Sequence, residues 1–365
     1  MLEVAEVFRR HGARYLALPD VRLMPSQRHA MQDLVDCRTF AMGGHLSLCL
    51  DCRADVQSFH SCRNRSCPTC HARDTERWIA ARHADLPDTN YFHLVFTVPH
   101  ELHGIMFANQ KLLYSVLMRS AAEALQRLAR DDRYVGGTIG CLAVLHTWTG
   151  AQLYHPHVHI LVPGGGVSDD GRWLPAREDF FVPVHALSMI YRAVFMRLAR
   201  EALPGRAWPE KVWKKGWVTF AKPCAQGLDG ILQYFARYVH RIAIANSRLV
   251  SIDLDTVTFR FKRPGKAGQP RVWDTMTLAA TEFIRRYLLH VLPRGFHKVR
   301  YFGFLAPAHP ARRNGSLPTP PPVEQSVSTS PDAAPSPRRP RCPFCRGCRL
   351  LVIVDLRRPN RSAPT

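Results

Sequence analysis

The segment Tyr154-His155-Pro156-His157-Val158-His159-Ile160-Leu161-Val162 sets three histidines at every second position. In a strand, residues i and i+2 share a face. His157 and His159 therefore aim two imidazoles at one point, as a divalent metal ion requires, and His155 is in phase unless Pro156 bends the strand. Val158, Ile160 and Val162 take the opposite face, towards a core. Three imidazoles on one face of a largely apolar strand are poorly accommodated without a ligand. Imidazole suits Mn²⁺ or Zn²⁺ better than Mg²⁺, a preference that a phosphate in the site would shift.

A second constellation lies further along. Leu228, Ile231, Leu232, Phe235, Val239 and Ile242 recur at helical spacing, and Tyr234 and Tyr238, four apart, stack on one flank of that helix, roughly 90° from the apolar stripe. Arg237, His240 and Arg241 border them with positive charge. A phenol beside cations and a metal-bound phosphate is a candidate nucleophile, because its phenolate is favoured there. Two tyrosines packed rings-in and hydroxyls-out give the same pattern, so this reading depends on the histidine strand.

The cysteines form the third constellation. Cys49-x2-Cys52 and Cys67-x2-Cys70 stand fourteen residues apart, a spacing that suits one tetrahedral, structural Cys₄ zinc site with no open position for chemistry. Cys37, His45 and Cys62 are further potential ligands, with His60 and His71 behind them, and would serve a second zinc or an alternative set. Arg63, Arg65, Arg73, Arg77 and Arg82 suit phosphate contacts or a solvated basic face equally. In the tail, Cys342-Pro343-Phe344-Cys345-Arg346-Gly347-Cys348 offers three thiols without an obvious fourth ligand: either half of a site completed elsewhere or an accident of composition. Cys141 and Cys224 read as core residues.

These groups need elements to hold them. The chain has 365 residues, 46% of them hydrophobic, enough for about two domains with real cores. Tyr91 to Val98 reads as a strand, Asn109 to Ala129 as a helix, and Ile139 to Trp148 and Leu153 to Val162 as strands joined by a turn at Thr149 to Gln152. Val184 to Ala202 reads as a helix, Trp217 to Ala221 as a strand and Asp229 to Asn246 as the tyrosine helix. Ser251 to Lys262 and Val272 to Leu278 make a hairpin, followed by a helix from Ala279 to Val291. The resulting fold class is α+β: a zinc-ribbon-like domain over residues 1–85, then a palm over 90–305 with an antiparallel sheet and helices on one face. Residues 306–341, rich in Pro, Ser, Ala and Arg, read as a disordered linker, and 342–365 as a short cysteine-containing tail.

Lys and Arg number 50 against 29 acidic residues, a formal charge of +21, which favours a polyanionic partner through counterion release. Met1 to Arg10 lacks an apolar signal core, and no run approaches the ~18 apolar residues of a membrane span. Tight Cys-x-x-Cys steps favour zinc in a reducing cytoplasm over disulfides.

Taken together, the motifs resemble the HUH-type rolling-circle transposases, specifically the bacterial insertion-sequence family numbered ninety-one. The stretches that carry the resemblance are Cys62-Arg63-Asn64-Arg65-Ser66-Cys67-Pro68-Thr69-Cys70, Tyr91 to Pro99, the His155-Pro156-His157-Val158-His159 strand with Pro163-Gly164-Gly165-Gly166, Tyr234 to Ile244, and Phe283 to Leu305. They run from about residue 10 to 305. The resemblance implies an HUH palm in which His157 and His159 hold Mg²⁺ or Mn²⁺, and Zn²⁺ in the N-terminal domain. A tyrosine would attack single-stranded DNA at the ends of a mobile element, leaving a 5′-phosphotyrosine link and a free 3′-hydroxyl, in a bacterial, nucleoid-associated protein. Tyr234 is the expected nucleophile and Tyr238 its partner. The third metal ligand is not singled out; His155 and Gln233 are the candidates. A rolling-circle replication initiator or relaxase uses the same chemistry, a zinc-ribbon DNA-binding protein would need no catalysis, and a metal hydrolase would use the histidines alone.

Overall fold

The computed structural model describes residues 2–71, 74–83, 85–214, 216–224, 228–239, 242–263, 272–313 and 341–358. The chain divides into two compact units. One comprises Met1–Asp74, Ile244–Val291 and Thr329–Thr365; the other comprises Thr75–Ala243 and Leu292–Ser328.

The second unit is built on an antiparallel sheet. The histidine strand Tyr154–Pro163 lies between Thr138–Trp148 on one side and Tyr91–Thr97 on the other, and Thr219–Cys224 continues the sheet beyond Tyr91–Thr97. Gly165–Val167, Trp173–Pro175 and Val299–Gly303 extend it around Thr138–Trp148. At the tight end of that last pairing, Gly303 has φ +62° and a Cβ there would sit 1.7 Å from the Ile139 carbonyl oxygen, so only glycine fits. The expected turn at Thr149 to Gln152 is closed by the Gln152 amide donating to the Thr149 carbonyl at 3.1 Å.

Strand alternation decides what each face carries. Phe92, Leu94, Phe96, Ala143, Leu145, Val158, Ile160 and Val162 form one face and are buried with the long helices Gln110–Ala129 and Val184–Ala202. Tyr91, Leu142, Val144 and Leu161 lie on the other face, where Leu228, Ile231, Leu232, Phe235 and Val239 of the helix Leu228–Val239 cover them. The sequence reading put the helices on one face. The tyrosine helix occupies the opposite one, because its apolar stripe needs the apolar ends of the histidine-bearing face. Phe235 is fully buried in this contact. Phe235→Ala is expected to cost about 3–5 kcal/mol, read as a lowered Tm of the full chain with loss of the tyrosine helix's attachment.

The tyrosine helix is shorter than expected: it ends at Val239, with His240 and Arg241 outside the described residues and no helix from Ile242 to Ala245. Ile244 is fully buried in the core of the other unit. The strand expected at Trp217 to Ala221 is displaced to Thr219–Cys224.

The first unit joins sequence-distant pieces. Helices Val4–Leu16 and Pro25–Asp36, absent from the sequence reading, pack with the helix Ala280–Leu288 and the three-stranded sheet of Leu249–Ile252, Thr256–Arg263 and Val272–Ala279. Phe8, Leu34, Phe259, Phe283, Ile284 and Tyr287 share this core, and the Tyr287 hydroxyl donates to the Ser66 carbonyl. Residues 244–291, assigned by sequence to the 90–305 region, therefore belong here, since their apolar faces are buried against the N-terminal helices. A second sheet pairs Gly44–Cys49 with Asp55–Phe59 on one side and with Leu350–Leu356 from the tail on the other. Of the stretch 306–341 read as a disordered linker, 314–340 lie outside the described residues, and Pro310–Arg313 form one helical turn. Among the described residues, no helix is long and apolar enough to cross a membrane.

Candidate active site and cysteine clusters

On the sheet face beneath the tyrosine helix, the backbone register sets His146 directly opposite His157. His146, His157 and His159 each turn one ring nitrogen to a common point, the three lying within 4.8 Å of one another. His146 and His159 are 2% and 8% exposed, so little water competes for them. Two of the rings are anchored by backbone carbonyls. The His146 Nε2–H donates to the Tyr238 carbonyl at 2.7 Å, and the His157 Nδ1–H donates to the His155 carbonyl at 2.7 Å. A carbonyl only accepts, so in each bond the ring nitrogen is the donor, and the other ring nitrogen is the one that can serve as a ligand. Three imidazoles with converging ring nitrogens form a donor set that fits a divalent transition metal ion.

The sequence candidates for the third position fare differently. The paired residues His146↔His157 and Trp148↔Tyr154 differ by one step in register, so the histidine strand holds an extra residue in the His155–Pro156 stretch. This bulge takes His155 out of the trio. Its ring packs between those of His157 at 5.3 Å and His103 at 5.6 Å, and burial lowers its pKa. Gln233 is exposed on the tyrosine helix. His146 escaped notice because a single histidine in a long buried strand carries no periodic signal; counting the register back through the turn would have found it.

Both phenols face the histidines. The Tyr238 ring lies 4.2 Å from the His159 ring, and the Tyr234 and Tyr238 hydroxyls are 2.8 Å apart. Between the tyrosines and the trio stands His93, from Tyr91–Thr97 and 3% exposed. Its Nε2 is 2.9 Å from the His159 Nδ1 and its Nδ1 is 3.2 Å from the Tyr234 hydroxyl. Burial, helped by the charge of Lys222, lowers its pKa to about 4, so the ring is neutral at neutral pH. Lys222 itself places its ammonium 5.6 Å from the centre of the Tyr234 ring. Neither His93 nor Lys222 was singled out by sequence, because only the pairing of distant strands brings them here. Of the basic residues expected beside the tyrosines, the Arg237 side chain, His240 and Arg241 lie outside the described residues.

The cysteines regroup. Cys49, Cys52, Cys67 and Cys70 do not form one tetrad. Cys37, Cys62, Cys67 and Cys70 converge in one cluster, and Cys49 and Cys52 meet Cys342 and Cys345 of the tail in another. The hairpin Gly44–Phe59 carries Cys49 and Cys52 away from Cys67 and Cys70, while the helix Pro25–Asp36 delivers Cys37 to them. His45 belongs to neither cluster; it pairs with Asp355 at 2.5 Å. Cys141 is buried as expected, which pushes its thiol up to about 12. Arg63 is exposed, and Arg65 is half-buried with its pKa lowered by that burial.

With this geometry in view, residues 7–98 match the family described as "Transposase zinc-binding domain", and residues 140–313 match the family described as "Putative transposase". The chain is 42% identical over 322 residues to "Putative transposase y4qJ" of Sinorhizobium fredii, covering 83% of this chain and 80% of that protein. It is 29% identical over 269 residues to "Transposase for insertion sequence element IS801" of Pseudomonas savastanoi pv. phaseolicola, covering 68% of this chain and 62% of that one. No solved structure matches.

Proposed function

The chain belongs to the IS91 family of transposases, and from that premise we propose that it cuts and rejoins single-stranded DNA at the ends of its mobile element through a covalent 5′-phosphotyrosine link. The observation that carries this reading is the convergence of His146, His157 and His159 under two tyrosine hydroxyls on one buried sheet face. A divalent cation held by the three imidazoles, Mg²⁺ or Mn²⁺, would polarise the scissile phosphate.

The remaining steps fall to the protein's own residues. The phenol oxygen of Tyr234 attacks phosphorus, the bond to the 3′ oxygen breaks, and the phenol proton is balanced by the proton gained on the released 3′-hydroxyl. The phosphotyrosine conserves the bond energy, so attack by a later 3′-hydroxyl reverses the step and joins strands without ATP. For His159 to present its Nε2 lone pair, its Nδ1–H must donate to the His93 Nε2. His93 then donates its Nδ1–H to the Tyr234 oxygen, which places a hydrogen bond on the atom where phenolate charge develops. Lys222 adds positive charge beside the same ring. The net charge of +21 suits a DNA substrate, and a bacterial cytoplasm, at the nucleoid, is where such a substrate lies. Structural zinc at the Cys37, Cys62, Cys67 and Cys70 cluster would keep the first unit ordered.

The test is incubation with Mn²⁺ and labelled single strands from the element's two ends. A protein–DNA adduct stable to SDS is expected. Free cleavage products without an adduct would mean a hydrolase, and no reaction under any divalent metal would remove the nicking activity altogether. His93→Gln keeps a polar group of similar size but cannot bridge both partners in this geometry. Nicking about 10–100-fold slower is expected, with an unchanged circular dichroism spectrum.

A further inference from the structure

Cys49, Cys52, Cys342 and Cys345 lie within 4.8 Å of one another, although some 290 residues separate the two pairs. The Cys49 and Cys345 sulfurs are 3.6 Å apart and those of Cys52 and Cys342 are 3.7 Å apart. A disulfide would need about 2.05 Å, whereas the edge of a tetrahedron with zinc–sulfur bonds of about 2.3 Å is about 3.8 Å. The other cluster shows the same edges, 3.6 to 3.7 Å among Cys37, Cys62, Cys67 and Cys70.

The backbone repeats the message. The described non-glycine residues with positive φ are Arg38, Arg53, Arg63, Gln152 and Arg346. Four of the five directly follow a cysteine of these clusters: Cys37, Cys52, Cys62 and Cys345. A left-handed conformation is uncommon for arginine, and it recurs where a cysteine must turn its sulfur inwards. In the tail-completed cluster the two halves use one turn. The Arg53 amide donates to the Cys49 carbonyl at 2.8 Å, and the Arg346 amide donates to the Cys342 carbonyl at 2.9 Å. The Gly347 amide then points at the Cys345 sulfur at 3.4 Å, as a thiolate favours. Two matching turns from opposite ends of the chain make a built site.

We propose that this cluster is a second structural zinc site, completed by the C-terminal tail, and that it clasps the tail onto the N-terminal hairpin. Cys342 and Cys345 fall outside the residues matched by either transposase family, so the clasp is an addition to the zinc-binding domain itself. Apolar burial is a poor alternative fastener: among the described residues, the local core holds only Val56 and Leu350 beside the cysteines. The ladder from Gly44↔Leu356 to Cys49↔Leu350 leaves Leu351, Val352, Ile353 and Val354 about half exposed. Closing so long a loop carries a substantial entropy cost, which four zinc–thiolate bonds offset.

The experiment counts zinc released by a mercurial from the purified full-length chain into a chromogenic dye, alongside limited trypsin digestion at Arg349. Two zinc ions per wild-type chain are expected, and one from Cys342→Ser combined with Cys345→Ser, with cleavage after Arg349 faster by on the order of tenfold as the tail strand is released. Cys348→Ser removes the tail thiol that lies outside the cluster and should keep both ions and the slow cleavage. One ion in the wild type, two in the double variant, none in the double variant, or loss of an ion in Cys348→Ser would each overturn the clasp. None of these readings depends on DNA cleavage.

Discussion

Tyr234→Phe combined with Tyr238→Phe is expected to abolish the covalent protein–DNA adduct, a fall of at least about 10⁴-fold in the rate of its formation, while Mn²⁺ binding stays within a few-fold of the wild type. Each change removes one oxygen and leaves the ring, so the apolar contacts of Phe235 and its neighbours with the sheet persist. The histidine trio keeps its anchor from the tyrosine helix too, because His146 bonds to the backbone carbonyl of residue 238 and not to the phenol. Loss of adduct with retained metal binding therefore isolates the nucleophile. The single variants separate the two roles. Tyr234 receives His93 at 3.2 Å, so Tyr234→Phe should remove most of the adduct; Tyr238→Phe, which deletes the 2.8 Å partner of the Tyr234 hydroxyl, should slow its formation by about tenfold. An adduct that survives in the double variant at wild-type yield would exclude both phenols and send the search for a nucleophile elsewhere.

What could be read in the sequence was local. The alternation at His157 and His159 and the four-residue step between Tyr234 and Tyr238 name two pairs without any structure, because a strand and a helix each repeat over so short a distance. The antiparallel sheet and its long helices follow from the same periodicities. What could not be read lies in pairings between distant segments. His93 reaches Tyr234 through 141 residues of intervening chain, and no period links them. His155 obeyed the alternation yet left the trio, because a bulge shifts the phase; Pro156 marks a possible bend, but whether the strand bends there depends on its pairing with Thr138–Trp148. The cysteines misled for a related reason: fourteen residues between two Cys-x2-Cys steps suit one site well, and nothing local shows that a hairpin carries the first step towards the tail while Cys37 arrives from a helix. Residues 244–291 were given to the wrong neighbour because contiguity in sequence is only a prior for contiguity in space.

The remaining large effect concerns the metal ligands. His159→Ala should reduce nicking by at least about 10³-fold at saturating DNA, since it removes one of three donors and the several kcal/mol of charge stabilisation that depend on them. It also cuts the link to His93, whose 2.9 Å bond it eliminates, so the hydrogen bond onto Tyr234 loses its fixed direction. His155→Ala is the informative comparison. It sits in the same alternating run and shares the sequence signal, yet its ring nitrogens are outside the trio, and the hydrogen bond it gives His157 comes from a backbone carbonyl that alanine retains. Nicking by His155→Ala should stay within a few-fold of the wild type. Direct titration with Mn²⁺, followed by loss of the free-ion electron paramagnetic resonance signal, should show weakened binding for His159→Ala and His146→Ala and unchanged binding for His155→Ala. A reversed order, with His155→Ala inactive and His146→Ala active, would mean that the bulge straightens when the ion binds and that the strand's plain alternation was the better guide.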